Sequence, residues 1–456
     1  MTLREKATLH STRFSDRWTK WNSWLENPLS NFWCVLGWLG ATAIFVSSTT
    51  LSGGLTEGDS NVSVYAAWAI AHGHLSCAYL PSGAVGYAPT APIYPLLSSA
   101  LVSIFRVGHS VAFPNSAQLG QQCSMATSAI THWALHSSAW SPTLRIGYIG
   151  WLVMTAGVVA LLRVSGRGRC RWEPIALLML ALAPPVSMCL VEYFHPQDLI
   201  ALGLALGALA SARTGRWFYA GLLMGLAIVS QQFSWLVVVP LVVVAPRNQL
   251  TRFVGGTILS ALSVAVPLVV LTSGRAITSV LVGTGESSVS NSWLDQTNIH
   301  GSPLFVISRF FPLALALVLA WWATQRLGPQ LLEPIPLVSL IATSLGLRLV
   351  FEVNLWGYYF MALTVLLIAL DVIRGRIRIS LVGWILLVTL AADYGGLFNN
   401  PAYQPLPIWF LQITLVSSAL ALAVGPLISF TKDYPKTVLE TKKQINIHSE
   451  RPRNAI

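Results

Sequence analysis

Charge is the scarcest property of this sequence. Only 10% of its 456 residues are Asp, Glu, Lys or Arg, whereas an ordinary soluble domain carries about 25%. With 54% hydrophobic residues, the chain has more apolar surface than a water-soluble core could bury. These proportions exclude a soluble globular domain and predict an all-α, polytopic bundle of transmembrane helices. A transmembrane β-barrel is also excluded, because the apolar runs are long and do not alternate with polar residues.

Cysteine is rare as well, and the five cysteines present do not have a metal-binding spacing. The sequence contains no CxxC or HExxH motif, so no metal site and no cofactor are predicted. It also lacks a GxxxxGK[ST] loop, which argues against an ATP-driven pump. Cys77 and Cys123 fall in one predicted external loop and could form a disulfide in an oxidising compartment, although spacing alone leaves the pairing open.

The apolar runs predict about twelve membrane spans. One run, 217–246, is too long for a single helix and is interrupted by Ser230-Gln231-Gln232 and Pro240, which predicts a helical hairpin. The other runs lie at 31–51, 145–163, 174–192, 197–212, 253–273, 304–324, 335–350, 355–373, 379–397 and 407–430. Because no small-residue cleavage site follows the first run, residues 31–51 predict a retained helix and not a signal peptide.

The positive charges predict how these spans are oriented. With the N-terminus in the cytoplasm, nearly all of the 28 Lys and Arg residues fall on the cytoplasmic face, as the positive-inside rule requires. Five arginines fall outside: Arg106, Arg145, Arg275, Arg309 and Arg348. The chain is therefore predicted to lie in the plasma (inner) membrane, among membrane lipids, with both termini cytoplasmic. The net charge of +11 reflects this bias and not a nucleic-acid partner.

The predicted organisation has three parts. A basic cytoplasmic N-terminus (1–30) precedes the membrane domain (31–430), and a basic tail (431–456) predicted to be disordered follows it. Residues 52–144 are predicted to form one large external loop. Within it, 91–106 is apolar enough to enter the membrane, either as a re-entrant or juxtamembrane helix or as a span that a second one at 118–137 compensates. We favour the first, because 118–137 is too polar to face lipid.

The first polar constellation follows the first span directly. Glu57 and Asp59 lie where a carboxylate could serve as a general base for an acceptor hydroxyl, or could simply be solvated in a loop. His72 and His74 come next, on a predicted surface helix, and are expected to border an acceptor more than to carry out chemistry.

Further polar residues lie at predicted span ends. His195 and Asp198 straddle a proline, so they either cap a helix or contact a polar head group or sugar. Arg348 is a cation at the outer end of a span, against the orientation rule, and could bind a phosphate. Gln231 and Gln232 lie in the hairpin turn and form a weaker candidate site, or merely a polar turn.

Several short stretches, taken in order, resemble a known family. They are the acidic pair followed by Tyr65, Ala69, His72-Gly73 and Tyr79; Tyr94-Pro95-Leu96; His195-Pro-Gln-Asp198; Gly215-Arg216-Trp217 with residues 220–227; and Gly357-Tyr358-Tyr359-Phe360. Over roughly residues 30–370, this order resembles the GT-C superfamily of integral membrane glycosyltransferases. Within it, the stretches are most similar to the glycosyltransferase-87 branch, mannosyltransferases that use polyprenyl-phosphate mannose.

The resemblance implies a GT-C-like fold and a metal-independent, inverting transfer at the outer face of the membrane. A sugar, mannose in that branch, would pass from a polyprenyl-phosphate donor to a lipid or glycan acceptor. Asp59 would be the general base, with Glu57 as the adjacent alternative. Arg348 would stabilise the leaving phosphate, and Tyr358 would contribute to binding.

Two departures from the family pattern keep other functions open. Ser230-Gln231-Gln232 stands where relatives often carry a lysine, and Asn354 or Trp356 stands where a histidine is expected before the Tyr-Tyr pair. The chain could therefore use another donor or have an altered activity. The alternatives are a secondary transporter or a non-catalytic protein of cell-envelope glycan assembly. Transporters place ionisable residues in broken helices near mid-membrane, often within related halves, and no such repeat is evident here.

Overall fold

A computed structural model of the protein describes residues 28–51, 57–80, 91–135, 140–166, 172–277, 294, 302–352, 356–393, 410 and 412–430. Every regular element in these ranges is a helix. The α-helices are α1 (Pro28–Leu51), α2 (Glu57–Ala71), α3 (Ile93–Val102), α4 (Leu119–Ala134), α5 (Trp140–Val164), α6 (Trp172–Ala181), α7 (Pro184–Val191), α8 (Pro196–Arg213), α9 (Trp217–Ile228), α10 (Trp235–Val244), α11 (Arg247–Leu271), α12 (Ser302–Leu327), α13 (Pro334–Val350), α14 (Met361–Arg374), α15 (Ile379–Asp393) and α16 (Gln412–Phe430). The prediction of an all-α chain is confirmed over these residues.

The described residues contain six helices that are long and apolar enough to cross a membrane. These are Phe32–Leu51, Ser141–Val164, Arg247–Leu271, Val306–Leu332, Gly357–Arg374 and Gln412–Phe430. A seventh span is formed if α6 and α7, which meet at an angle of 50°, count as one. The bend follows from Pro184, which lacks an N–H and holds Ala183 in an extended conformation. The protein is therefore embedded in a membrane.

The prediction of about twelve spans is not confirmed, because several predicted spans correspond to short helices. The predicted hairpin at 217–246 forms α9, of 12 residues, and α10, of 10 residues. At ~1.5 Å per residue these helices are about 18 and 15 Å long, against a hydrocarbon core of about 30 Å. The polar segment Ser230-Gln231-Gln232 ends α9 before it could cross. Helices α8, α13 and α15 are also shorter than a typical span.

Polar contacts between α1 and α5 show that these two helices run antiparallel. Trp38 Nε1 donates a hydrogen bond to Thr155 Oγ1 over 3.1 Å. Further along α1, Thr49 Oγ1 lies 2.9 Å from the hydroxyl of Tyr148. Much of the rest of α1 is exposed, as expected for a helix that faces lipid. Hydrogen bonds between apolar helices of this kind contribute to packing inside a membrane, where no hydrophobic force draws helices together.

Helices α5 and α8 are parallel and touch through their backbones. A Cβ atom on Gly150 would lie 3.1 Å from Leu199 Cβ, and one on Gly157 would lie 2.2 Å from the carbonyl oxygen of Gly203. The second distance is far below van der Waals contact, so Gly157 and Gly203 are both required where these helices cross. The N-terminal ends of α5 and α8 consequently lie at the same end of the bundle.

A helical cap, which we define as residues 57–80 and 91–135, covers this end of the bundle. Trp68, Tyr94 and Ile130 of the cap pack with Phe194 and Ile200 of the bundle in one buried cluster. The region 52–144, predicted as a large external loop with juxtamembrane or re-entrant helices, is largely helical where it is described. Helices α3 and α4, with 10 and 16 residues, are both too short to cross a bilayer. Whether 91–106 enters the membrane stays a prediction.

A disulfide joins Cys77 to Cys123 inside the cap, which resolves the pairing that the sequence left open. Tyr65 supports this link, since its hydroxyl donates to the carbonyl oxygen of Cys123 over 3.2 Å. Burial raises the pKa of Tyr65, while a hydrogen bond with Thr127 opposes the shift, so this hydroxyl stays protonated and remains a donor at neutral pH. The disulfide fixes α4 to the short 3₁₀ helix Leu75–Tyr79.

Replacing both Cys77 and Cys123 with serine is expected to destabilise the protein by about 2–4 kcal/mol, because the link closes a long loop in the unfolded chain. The measurement is thermal unfolding in nanodiscs, with and without dithiothreitol. The reductant should lower the melting temperature of the wild-type protein to that of the double variant and leave the double variant unchanged. An unchanged melting temperature in fully reduced wild-type protein would show that the link is absent or carries no stability.

The end of the bundle opposite the cap carries charges in pairs. Three ion pairs lie there: Arg163–Glu173 at 2.8 Å, Arg213–Glu333 at 3.7 Å and Arg378–Asp371 at 2.6 Å. Each joins two neighbouring helices or the segments that flank them. We call this the basic end, because α5, α8 and α14 each end there with an arginine in the last turn. The acidic groups described at this end are paired with arginines, so a site is expected at the cap end.

Candidate functional site

The first part of the site is the turn that leads into α8. Phe194 has a left-handed backbone conformation, with φ at 51°, and its ring is fully buried against the cap. Such a conformation is costly for a residue with a side chain, and here the packing of the ring maintains it. Pro196 then starts α8 with a residue that needs no hydrogen-bond donor. The result is that His195 and Asp198 are both buried within the protein.

A glutamine side chain contacts each of these two residues. Gln197 Nε2 lies 3.0 Å from His195 Nδ1, and that ring nitrogen lies 4.0 Å from Asp198 Oδ1. Gln231 Nε2 donates to the same carboxylate oxygen of Asp198 from the turn between α9 and α10. The backbone N–H of Gln232 donates to Gln231 Oε1 over 2.9 Å and so fixes the orientation of the amide. Gln231 therefore acts as a donor to a buried carboxylate, which such a group needs in order to remain ionised.

The second part of the site is an arginine–glutamate cluster at the end of α13. Arg348 Nε donates to Glu352 Oε2 over 2.8 Å, and Arg309 Nη1 of α12 lies 3.8 Å from Glu352 Oε1. Gln412 of α16 donates to the carbonyl oxygen of Leu349 over 3.0 Å and so fixes the end of α13. Arginines of α12 and α13 thus contact one buried carboxylate, and α16 holds the backbone beside it.

Aromatic rings join the two parts. The ring of Tyr358 stacks on His195, with centroids 4.3 Å apart, and contacts Tyr359 edge to face at 4.5 Å. The guanidinium carbon of Arg348 lies 5.0 Å from the ring centroid of Tyr359, within cation–π range. The same guanidinium carbon lies 5.9 Å from the ring centroid of Phe233, which follows Gln232 in the turn between α9 and α10. Histidine, aspartate and arginine therefore form a single site, with Tyr358 and Tyr359 between them.

This site lies below the end of the bundle and not at its surface. Phe194 packs against Gly147 of α5, which begins at Trp140, so at ~1.5 Å per residue the turn lies about 10 Å inside that helix end. On the other side, α9 ends at Ile228, whereas the parallel helix α11 continues to Leu271, about 10 Å further. The sequence predicted that the run 217–246 divides at Ser230-Gln231-Gln232, but not that this division places Gln231 at such a depth.

Ionisable groups at such a depth are expensive to maintain. A charged side chain inside a membrane costs several kcal/mol unless it is paired, so residues of this kind usually have a function. Here a carboxylate with one side-chain amide donor shares a site with an arginine whose Nε is already bound. Within the described residues, Nη1 and Nη2 of Arg348 donate no hydrogen bond. The arrangement suits a negatively charged ligand on the arginine side and hydroxyl groups on the side of His195 and Asp198.

The structure brings most of the predicted binding residues together. The site contains His195, Asp198, Gln231, Gln232, Tyr358 and Arg348. His72 and His74 do not belong to it. His72 is exposed and bonded through Nδ1 to the carbonyl oxygen of Trp68, and His74 stacks on Phe113 with centroids 3.8 Å apart. Both lie in the cap.

The two predicted catalytic carboxylates start the first helix of the cap. Glu57 is the first residue of α2, and Asp59 lies in its first turn. Their side chains lie outside the described residues, so the role predicted for them stays a prediction. Both residues follow α1 in chain order and lie at the start of the cap. The cap packs on the same end of the bundle as the site.

Three residues of the site were not assigned a role from the sequence: Arg309, Glu352 and Gln197. Arg309 carried a signal, because it is one of the five arginines outside the cytoplasmic clusters and lies within an apolar run. Glu352 also carried one, since it follows Arg348 by four residues, a spacing at which opposite charges often pair. Gln197 carried none, because its contact with His195 depends on how α8 begins.

Among the described residues, no three His, Cys, Asp or Glu side chains lie close enough together to bind a metal ion. Comparison with known proteins identifies no relative of this chain. No protein-family model matches it, and neither does any curated protein or solved structure. The site itself and the family resemblance of the short sequence stretches are therefore the grounds for inferring a function.

Proposed function

We propose that this protein is an integral membrane glycosyltransferase of GT-C type. It transfers a sugar, with mannose as the first choice, from a polyprenyl-phosphate donor to a lipid or glycan acceptor. One observation carries the proposal: a buried site with an acid and an arginine lies about 10 Å inside a bundle of lipid-facing helices. A soluble substrate would not need chemistry at that depth, whereas a substrate with a lipid tail brings its head group there.

The donor phosphate is bound on the arginine side of the site. Nη1 and Nη2 of Arg348 form a fork that matches two oxygens of a phosphate, while Glu352 holds Nε and sets the orientation of the guanidinium plane. The sugar of the donor then extends towards His195 and Asp198, whose network with Gln231 can bind hydroxyl groups. The polyprenyl chain remains among the helices and the lipid.

Transfer requires a base for the acceptor. In the proposed step, Asp59, or Glu57 in its place, removes the proton from the acceptor hydroxyl. The acceptor oxygen attacks the anomeric carbon, and the bond from that carbon to the phosphate oxygen breaks with its electron pair. Polyprenyl phosphate leaves with the added negative charge, which Arg348 stabilises. No metal is required, because the arginine supplies the positive charge.

The proposed orientation follows from the two ends of the bundle. The basic end faces the cytoplasm, as the positive-inside rule requires, and the cap and the site face the outside of the plasma membrane. The disulfide in the cap supports this orientation, because disulfides persist in oxidising compartments. Alternating helix directions agree with a chain that crosses the membrane many times, with the short helices contributing incomplete crossings beside the site.

A secondary transporter is the second candidate, and one specific observation favours it. Transporters build their binding sites from broken helices deep in the membrane. The bent pair of α6 and α7 and the short helices α9 and α10 have this character. Against it, the cap closes the end of the bundle and no related halves are evident. A glycosyltransferase links the sugar to an acceptor, whereas a transporter carries it across the membrane unchanged.

One assay distinguishes the two functions. The purified protein in nanodiscs is incubated with polyprenyl phosphate carrying radiolabelled mannose, together with a lipid extract of the host membrane as the source of acceptor. Label should move from the donor to a new product only in the presence of the protein. A matched reconstitution in sealed liposomes measures uptake of free sugar. Uptake without transfer to any product would support a transporter and contradict the proposed function.

A further inference from the structure

Arg309 is a positive charge in an apolar environment. It lies in α12 between Val306 and Phe310, two exposed apolar residues on the lipid-facing side of that helix. Since α12 begins at Ser302, Arg309 lies about 10 Å from the helix end at ~1.5 Å per residue. Its own side chain is 43% exposed. A guanidinium at this depth, facing the lipid, is costly and so is expected to have a function.

The contacts of Arg309 do not account for this cost. Its only ion pair among the described residues is with Glu352, and at 3.8 Å that contact is longer than a hydrogen bond. Glu352 already accepts a hydrogen bond of 2.8 Å from Arg348. Within the described part of the chain, Arg309 therefore donates no hydrogen bond, and all five of its N–H groups remain to be satisfied.

Glu352 sets the position of both guanidinium groups. It lies between an arginine of α12 and an arginine of α13, and the edge-to-face contact of Phe311 with Phe351, at 4.9 Å, packs these two segments together beside it. The N–H groups that Glu352 leaves unused belong to Arg348 on the inner side and to Arg309 on the lipid side. Two arginines from different helices thus flank one carboxylate at the edge of the bundle.

We propose that Arg309 and Arg348 together bind the phosphate of a lipid-linked substrate, which reaches the site sideways from the bilayer past α12. Arg309 contacts the phosphate first, from the lipid side, and Arg348 binds it at the site. The chemistry recognised is a phosphate monoester or diester attached to a long apolar chain. This inference depends on the proposed function for the identity of the substrate, but the binding it describes can be measured without any transfer reaction.

The test is equilibrium binding to the full-length protein in phosphatidylcholine nanodiscs. The probes are a short-chain polyprenyl phosphate, the uncharged polyprenol of the same length, and inorganic phosphate. The wild-type protein should bind the polyprenyl phosphate, and neither the polyprenol nor inorganic phosphate should compete at similar concentrations. Arg309→Gln should weaken binding about tenfold, because it removes charge-assisted hydrogen bonds to the phosphate. Arg326→Gln, at the exposed far end of the same helix, is the matched control and should bind as wild type.

A second pair of variants excludes a purely structural role for Arg309. If Arg309 served only to neutralise Glu352, removing both charges would restore binding. We expect instead that Arg309→Gln weakens binding about tenfold also in the Glu352→Gln background, and that Arg309→Lys retains most of the affinity. Binding within twofold of wild type for Arg309→Gln, or restoration by Glu352→Gln, would overturn the inference. Equal competition by inorganic phosphate would overturn its lipid part.

The two proposals can fail separately. Arg309-dependent binding of polyprenyl phosphate without any sugar transfer would uphold this inference and contradict the glycosyltransferase function. Sugar transfer by the protein, together with an affinity for polyprenyl phosphate that does not depend on Arg309, would uphold the glycosyltransferase function and contradict this inference. Thermal unfolding of each variant shows whether a loss of binding reflects a loss of folding.

Discussion

Replacing Asp59 with asparagine is expected to reduce sugar transfer by about 10²–10⁴-fold, the usual contribution of a general base. Asparagine has nearly the same shape as aspartate but cannot accept the proton of the acceptor hydroxyl. Because donor binding is assigned to other residues, the affinity for polyprenyl phosphate should remain near that of the wild type. The measurement is initial rates of label transfer in nanodiscs, together with donor binding to the same preparation.

Glu57→Gln is the matched control for this prediction. The proposed step needs a single carboxylate to act as the base. One of the two variants should therefore be nearly inactive and the other close to wild type. If Glu57→Gln were the inactive one, the base would be Glu57. Full activity in both variants would mean that neither carboxylate is the base.

Replacing Arg348 with glutamine should have the second-largest effect, a loss of about 10²–10³-fold in the rate of transfer, because negative charge develops on the leaving phosphate. Donor binding should weaken as well, since the fork of Nη1 and Nη2 is lost. Arg348→Lys keeps the charge without the fork and should be intermediate. The measurement separates kcat from KM for the donor at saturating acceptor.

Two controls accompany the Arg348 variants. Arg145→Gln removes an exposed arginine at the cap end of α5 and should leave the rate unchanged. Glu352 is buried beside Arg348, so removing the arginine alone leaves a carboxylate poorly compensated and costs stability. The variant is therefore also made with Glu352→Gln, which restores the balance of charge. A stable double variant with a wild-type rate would contradict the role assigned to Arg348.

The sequence predicted the membrane character of the fold but not the lengths of its helices. Composition and apolar runs suffice for the first, because lipid requires continuous apolar segments. The run 217–246 was correctly divided at Ser230-Gln231-Gln232, yet the resulting helices, α9 and α10, are only 12 and 10 residues long. Hydropathy reports how apolar a segment is, whereas helix length beside a site is decided by contacts such as that of Gln231 with Asp198.

The sequence predicted most residues of the site but not the contacts between them. His195, Asp198, Gln231 and Arg348 were each identified as polar residues at the ends of apolar runs. That Tyr358 lies between His195 and the arginine could not be derived, since it depends on the packing of segments distant in sequence. One departure from the family pattern, Gln231 near the position of a lysine, has a structural context, because Gln231 donates a hydrogen bond to Asp198.

The same reasoning explains why Arg309 was not recognised. In the predicted topology, both Arg309 and Arg348 break the rule that cations lie on the cytoplasmic side, but a role in the site was predicted only for Arg348. Arg348 lies at a span end beside aromatic residues, whereas Arg309 lies within an apolar run. Its connection to Glu352 crosses between α12 and the end of α13. A cation inside an apolar run is therefore as strong a sign of a site as one at its end.

The measurement that tests the central claim most directly is mass spectrometry of lipid-linked glycans from cells that lack this protein. If the protein transfers a sugar from a polyprenyl phosphate, a glycan or lipid acceptor should accumulate with one hexose fewer than in the parent cells. The wild-type gene should restore the full-length glycan, and a gene carrying Asp59→Asn should not. A glycan pool identical to that of the parent cells would contradict the proposed function.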